Sequence, residues 1–123
     1  MNYMLLVYLD EQSPIMQGES APKGCEGLAE RLMASGHYVA GGILHPTSCA
    51  TSIKVREERC LVTDGPFAET REQLAGYLLV EAKDLDEAIE IAEQHPVARF
   101  GTVEIRPVKE IPVWIQLGEG ARR

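Results

Sequence analysis

The 123-residue chain has no run of basic side chains. Lys and Arg number 12 against 19 Asp and Glu, for a net charge of −7. A surface that grips phosphate backbones needs a clustered excess of cations. The sole adjacent pair, Arg122-Arg123, sits at a terminus, so nucleic acid is not expected as a partner. Long apolar runs are lacking too. The opening MNYMLLVYLDEQ is apolar for about seven residues against the ~20 that a membrane helix needs, and then turns acidic. It also lacks the basic start and small-residue cleavage site of a secretory leader. The expected setting is cytoplasmic, without a membrane.

Cysteine is sparse, at Cys25, Cys49 and Cys60. The number is odd, no C-x-x-C pair occurs, and no Cys/His cluster has zinc spacing. Neither a disulfide framework nor a structural metal is expected, and reduced thiols suit the cytosol. Gly-rich phosphate loops, G-x-S-x-G and H-E-x-x-H are all missing, so no cofactor is implied. What remains is ordinary for a folded protein: 45% hydrophobic and 25% charged residues, in a length that suits a single domain over 1–123.

The apolar pattern resolves into a sequence of elements. Tyr3 to Leu9 reads as a strand, apolar on both faces: Tyr3, Leu5, Val7 and Leu9 point one way, Met4, Leu6 and Tyr8 the other. A strand of that kind is covered on both sides. Ser20-Ala-Pro22 resembles a helix cap, and Cys25, Leu28, Ala29, Leu32 and Met33 recur at helical spacing up to Gly36. His37 to Leu44 is a second strand, in which Gly41-Gly42 signals a bulge or a close backbone approach. Ser52–Arg56 and Arg59–Thr63 flank Glu57-Glu58 as a hairpin. Gln73 to Ala82 is a strand, and Asp84 caps a helix whose buried stripe is Leu85, Ala88, Ile89 and Ala92. His95-Pro96 stops that helix. Thr102 to Val108 closes the series, with Val103 and Ile105 opposite Glu104 and Arg106. The tail, residues 109–123, carries Ile111, Val113, Trp114, Ile115 and Leu117 and should dock on something.

β-α-β, an inserted hairpin, then β-α-β predicts an α+β fold of the ferredoxin-like βαββαβ type. Both helices then lie on one face of the sheet. The other face still carries apolar residues, and a second copy packed sheet to sheet covers it at least cost. A homodimer is expected.

Between the hairpin and the next strand lies TDGPFAETREQ, Thr63 to Gln73. This segment, with Gly76-Tyr77, DLDEAIEIA, GTVEIRPV and the opening YMLLVY, resembles the DGPF branch of the YCII-related family over nearly the whole chain. The resemblance implies a dimeric α+β barrel in a bacterial, cytoplasmic setting and mostly unknown activity, with genes often near or fused to alternative sigma factors. Relatives in the wider superfamily bind small organic molecules between sheet and helices, and some are isomerases, dehalogenase-like lyases or oxygenases. A His-Asp pair is associated with the wider group, and Asp64 matches its aspartate.

On the residues themselves, Asp64 is either turn chemistry, its carboxylate accepting from backbone N–H groups, or a general base. Phe67 reads first as a plug in the core. Arg71 either pairs with Glu69 at the surface or, with Glu69, contacts a ligand. Arg106 and Glu104 are either an interface ion pair or ligand contacts. His45 is the histidine candidate for proton transfer, whereas Cys49 has little to activate it. Three readings follow. One is a cofactor-free acid–base enzyme using Asp64 and His45, with Glu69, Arg71 and Arg106 on the substrate. The others are a non-catalytic sensor linked to a sigma factor, and a plain interaction module.

Overall fold

The computed structural model describes residues 1–13 and 25–109. The expected cap at Ser20-Pro22 and the tail from Glu110 onward lie outside the described residues.

Strand β1 spans Asn2–Leu9, with its odd-numbered residues buried and its even-numbered residues half-exposed. Helix α1 spans Cys25–Ala34 and turns Leu28 and Leu32 into the core, while Met33 is exposed. Its end is a Schellman turn. Gly36 takes φ 79°, its N–H donates to Met33 O (3.2 Å), and His37 N–H donates to Leu32 O (2.9 Å), satisfying carbonyls that the helix leaves orphaned. β2 (Tyr38–Ile43), β3 (Thr51–Arg56), β4 (Arg59–Asp64) and β5 (Gln73–Glu81) follow. A 3-10 turn at Thr47–Cys49 lies between β2 and β3.

Helix α2 covers Leu85–Glu93 and starts where expected, with Asp84 Oδ1 accepting from Glu87 N–H at 2.9 Å. Its buried face is Ala88, Ile91 and Ala92, whereas Leu85 and Ile89 are partly exposed. The buried stripe is thus rotated from the expected one toward Ile91, which packs in the core cluster with Val103 and Ile105 of β6 (Thr102–Pro107) at its edge. Pro96 ends α2 and opens a 3-10 helix, Pro96–Arg99, capped by His95 Nδ1 accepting from Val97 N–H at 3.1 Å.

The main sheet is antiparallel with order β2-β5-β1-β6, and β3-β4 form a separate ribbon. This is the ferredoxin-like order with an inserted hairpin. Tyr3, Leu5, Leu78 and Val80 on one sheet face pack against Leu28 and Leu32 of α1 and Ala88, Ile91 and Ala92 of α2. Leu5, Leu28 and Val80 are fully buried, each contributing about 1.5–3 kcal/mol by removal from water. Val103 and Ile105 pack on the same core, so Glu104 and Arg106 fall on the other face as expected.

The close approach expected at Gly41-Gly42 is present. A Cβ at Gly42 would lie 2.9 Å from the Tyr77 ring, and the register irregularity falls slightly earlier, between Tyr38 and Ala40. Among the described residues no helix is long and apolar enough to cross a membrane.

Candidate functional site

The face of the sheet away from the helices follows from the register. Met4 lies between Leu79 and Arg106, Leu6 between Tyr77 and Glu104, and Tyr8 between Leu74 and Thr102. This open face is an apolar field of Met4, Leu6, Leu74, Tyr77 and Leu79, bordered along β6 by Thr102, Glu104 and Arg106. No described helix covers it: its strand residues are half-exposed or exposed, although their odd-numbered neighbours on β1 are buried.

Polar groups converge at one end of this face. Tyr8 Oη donates to Glu104 Oε1 at 3.0 Å. Partial burial, and then the hydrogen bond and charge of Glu104, hold the Tyr8 hydroxyl above the ordinary phenol range, with Arg106 pulling the other way. Tyr8 therefore stays protonated near neutrality and acts as a donor, not as a base. Just beyond, Thr102 Oγ1 donates to Glu72 Oε1 at 2.7 Å, and Arg71 Nε lies 3.8 Å from Asp10 Oδ2. Glu11 accepts from Thr47 through both backbone N–H (2.9 Å) and hydroxyl (2.5 Å). That pair ties the 3-10 turn ahead of β3 to the end of β1.

The segment from Thr63 to Gln73 is split by this arrangement. Arg71 and Glu72 reach partners at the end of the sheet, Asp10 and Thr102, while Asp64 lies exposed at the root of the β3-β4 ribbon, opposite Thr51, and Glu69 is exposed on the loop. The turn chemistry at Asp64 is carried by its neighbours. Gly65 takes φ 108°, its N–H donates to Ala50 O at 2.7 Å, and its carbonyl accepts from Ser52 Oγ at 2.8 Å. The Asp64 carboxylate makes no hydrogen bond or ion pair among the described residues. Arg71 meets Asp10 and not Glu69, and as an exposed pair it stabilises little. Phe67, expected as a core plug, is 82% exposed, with the Lys54 ammonium 5.5 Å from its ring centroid. The loop simply has no core beneath it.

His45 is exposed, as are Cys49 and Cys60, both free thiols. His37 bridges Ser35 Oγ (2.7 Å) and Glu87 Oε1 (3.1 Å), linking the turn after α1 to α2. Arg106 forms no ion pair among the described residues, and Glu104 is engaged by Tyr8 and not by Arg106. No group of three metal-ligating side chains is found among the described residues. On the helix side an open apolar groove of about 320 Å³ runs between α2 and β6, lined by Ile89, Ala92, Val103 and Ile105.

Comparison with known proteins agrees with this architecture. The YCII-related domain matches residues 1–112. The chain belongs to the YCII-related family. An uncharacterised protein of Rhizobium meliloti (strain 1021) is 31% identical over 114 residues, covering 88% of this chain and 92% of its own. As a YCII-related protein the chain takes its fold from the family, and the chemistry must be read from its own site.

Tyr8 and Thr102 are the members of the site that the sequence did not mark. Strand alternation places Tyr8 on the Met4-Leu6 face, but its partner is 96 positions away, and only the β1-β6 register joins them.

Proposed function

We propose that this YCII-related protein works as a two-fold dimer, with open sheet face against open sheet face, and binds a small organic molecule in the space between. The observation that carries the reading is the Tyr8–Glu104 hydrogen bond beside Arg106, set at the margin of an apolar field. A few polar groups converging on apolar surface is the pattern of a small-molecule site. Arg106 suits a carboxylate or similar anion, Tyr8 and Glu104 supply a donor and an acceptor, and Met4, Leu6 and Leu79 meet an apolar body. Arg71, paired with Asp10 near the same end of the sheet, extends the polar margin, and Glu69, two residues before it on the same loop, is the further candidate for ligand contact.

Asp64 and His45 are then the groups available for proton transfer. Both are exposed in the single chain, and a second copy would shield them from water.

Native mass spectrometry of gently purified protein tests the reading. A small-molecule adduct on wild type that is lost in Arg106→Ala is the expected result. Identical adduct-free spectra for both, together with no chemical-shift change in either on titrating benzoate as a carboxylate probe, would sink it. If an adduct is turned over, Asp64→Asn should abolish turnover while leaving binding within a few-fold.

A further inference from the structure

The β3-β4 ribbon has no evident use within one chain. Every residue from Thr51 to Asp64 except Ser52 is exposed, and the ribbon is a separate two-stranded sheet. Its register places Ile53 opposite Val62 and Val55 opposite Cys60, so these four side chains share one apolar face. Lys54, Arg56, Arg59 and Leu61 take the other. Ile53, Val55 and Val62 are each about 60% exposed (64%, 58% and 62%).

Two-stranded ribbons are marginal alone in water. This one also closes on Glu57 (φ 51°) and Glu58 (φ 64°), left-handed positions that glycine or asparagine would take without strain. An arm this exposed, apolar on one face and closed by a strained turn, is stable when something covers that face.

We infer that the cover is a second copy of the chain: each arm lays its Ile53-Val55-Cys60-Val62 face on its partner, beside the partner's open sheet face. This rests on the face-to-face dimer proposed above and completes its site, since each copy's site is walled by the other's arm.

Three observations select a second copy over a different protein. The chain carries both surfaces, the arm's apolar face and the apolar field around Leu6 and Tyr77, so one two-fold operation pairs the two sheet fields, covers both arms beside them and closes the assembly. The arm is electrically neutral, with Lys54, Arg56 and Arg59 balancing Glu57, Glu58 and Asp64, in a chain of net charge −7. It is therefore where two such acidic chains can meet with least repulsion. Its root is also held beside the sheet: Gly65 N–H on Ala50 O closes its base, and Thr47 on Glu11 ties the turn ahead of it to the end of β1.

The test is sedimentation equilibrium on the full chain as wild type, Val62→Asp and Tyr77→Glu, with circular dichroism as the check on folding. Val62 is outside the core, so Val62→Asp should fold normally and raise the dimer Kd by at least about 30-fold, the effect of one carboxylate placed in an apolar contact. Weakening by Tyr77→Glu with no change in Val62→Asp overturns the arm inference and leaves the face-to-face dimer standing. A wild-type monomer at high concentration overturns both. Independently, a photo-crosslinking residue at position 62, in a mixture of ¹⁴N- and ¹⁵N-labelled copies, should give mixed-isotope cross-links to β1 or β5. Cross-links confined to single-isotope chains refute the exchange.

Discussion

Gly101 stands where β6 begins, with no side chain and no room for one. A Cβ there would lie 2.3 Å from Tyr8 O, 2.8 Å from Val97 Cγ1 and 3.4 Å from Leu9 Cα. Ordinary contact is about 3.5 Å, so Gly101→Ala requires a displacement of roughly 1 Å. Two of the three obstacles are backbone of the sheet's interior strand β1, which cannot rotate away. The start of β6 must therefore lift from β1, which strains the Tyr8-Thr102 pair and the Gly101 N–H bond to Val97 O (2.7 Å). Overpacking of this kind costs about 1–3 kcal/mol, and a weakened backbone hydrogen bond adds about 1 kcal/mol. A loss of about 3 kcal/mol lowers Tm by roughly 10 °C in a domain of this size. Gly27→Ala is the matched control. In α1 the new methyl meets only the mobile end of Arg31, at 3.3 Å, and a helical Gly→Ala change stabilises by about 1 kcal/mol. Thermal unfolding of the two variants should move in opposite directions. An unchanged or raised Tm for Gly101→Ala would refute the packing argument.

Two further outcomes concern titration. Glu104 raises the Tyr8 pKa and Arg106 lowers it, so the ultraviolet phenolate titration of Tyr8 should move down in Glu104→Gln and further up in Arg106→Ala; parallel shifts would deny both contacts. Burial lowers the pKa of His95 below its ordinary 6.5, and its Nδ1 must be unprotonated to accept from Val97. The unfolded chain thus binds the proton more readily. The stability from His95 is present above the unfolded-state pKa and lost as pH falls through the lower folded-state value. His95→Asn retains a capping acceptor and should flatten the acid side of a urea-denaturation pH profile; an unaltered slope would place the pH sensitivity elsewhere.

The features of the candidate site divide by range. Gly65, the Thr63–Gln73 loop and the Glu104/Arg106 face were legible because turn chemistry and strand alternation are local. The convergence of Tyr8 on Glu104, of Arg71 on Asp10 and of Thr47 on Glu11 was not. Each joins segments more than 30 positions apart, and residue type carries no signal for such distances. Phe67 misled for a related reason. An aromatic residue beside a turn is expected to anchor in a core, yet the loop leaves the body of the protein and gives it only Lys54 to lie under.

By itself the sequence determined the element order, the caps at Asp84 and Gly36, and the double-sided apolar character of β1. These depend on spacing of 2 or 3.6 residues and on the few side chains that satisfy helix ends, all set within one turn or one strand. Tertiary structure alone decided which face of α2 is buried and that the hairpin stands away from the core. It also decided which polar side chains meet at the end of the open sheet face. Those outcomes depend on strand register and helix tilt, where packing of the whole core selects among arrangements that local preferences leave equal in energy.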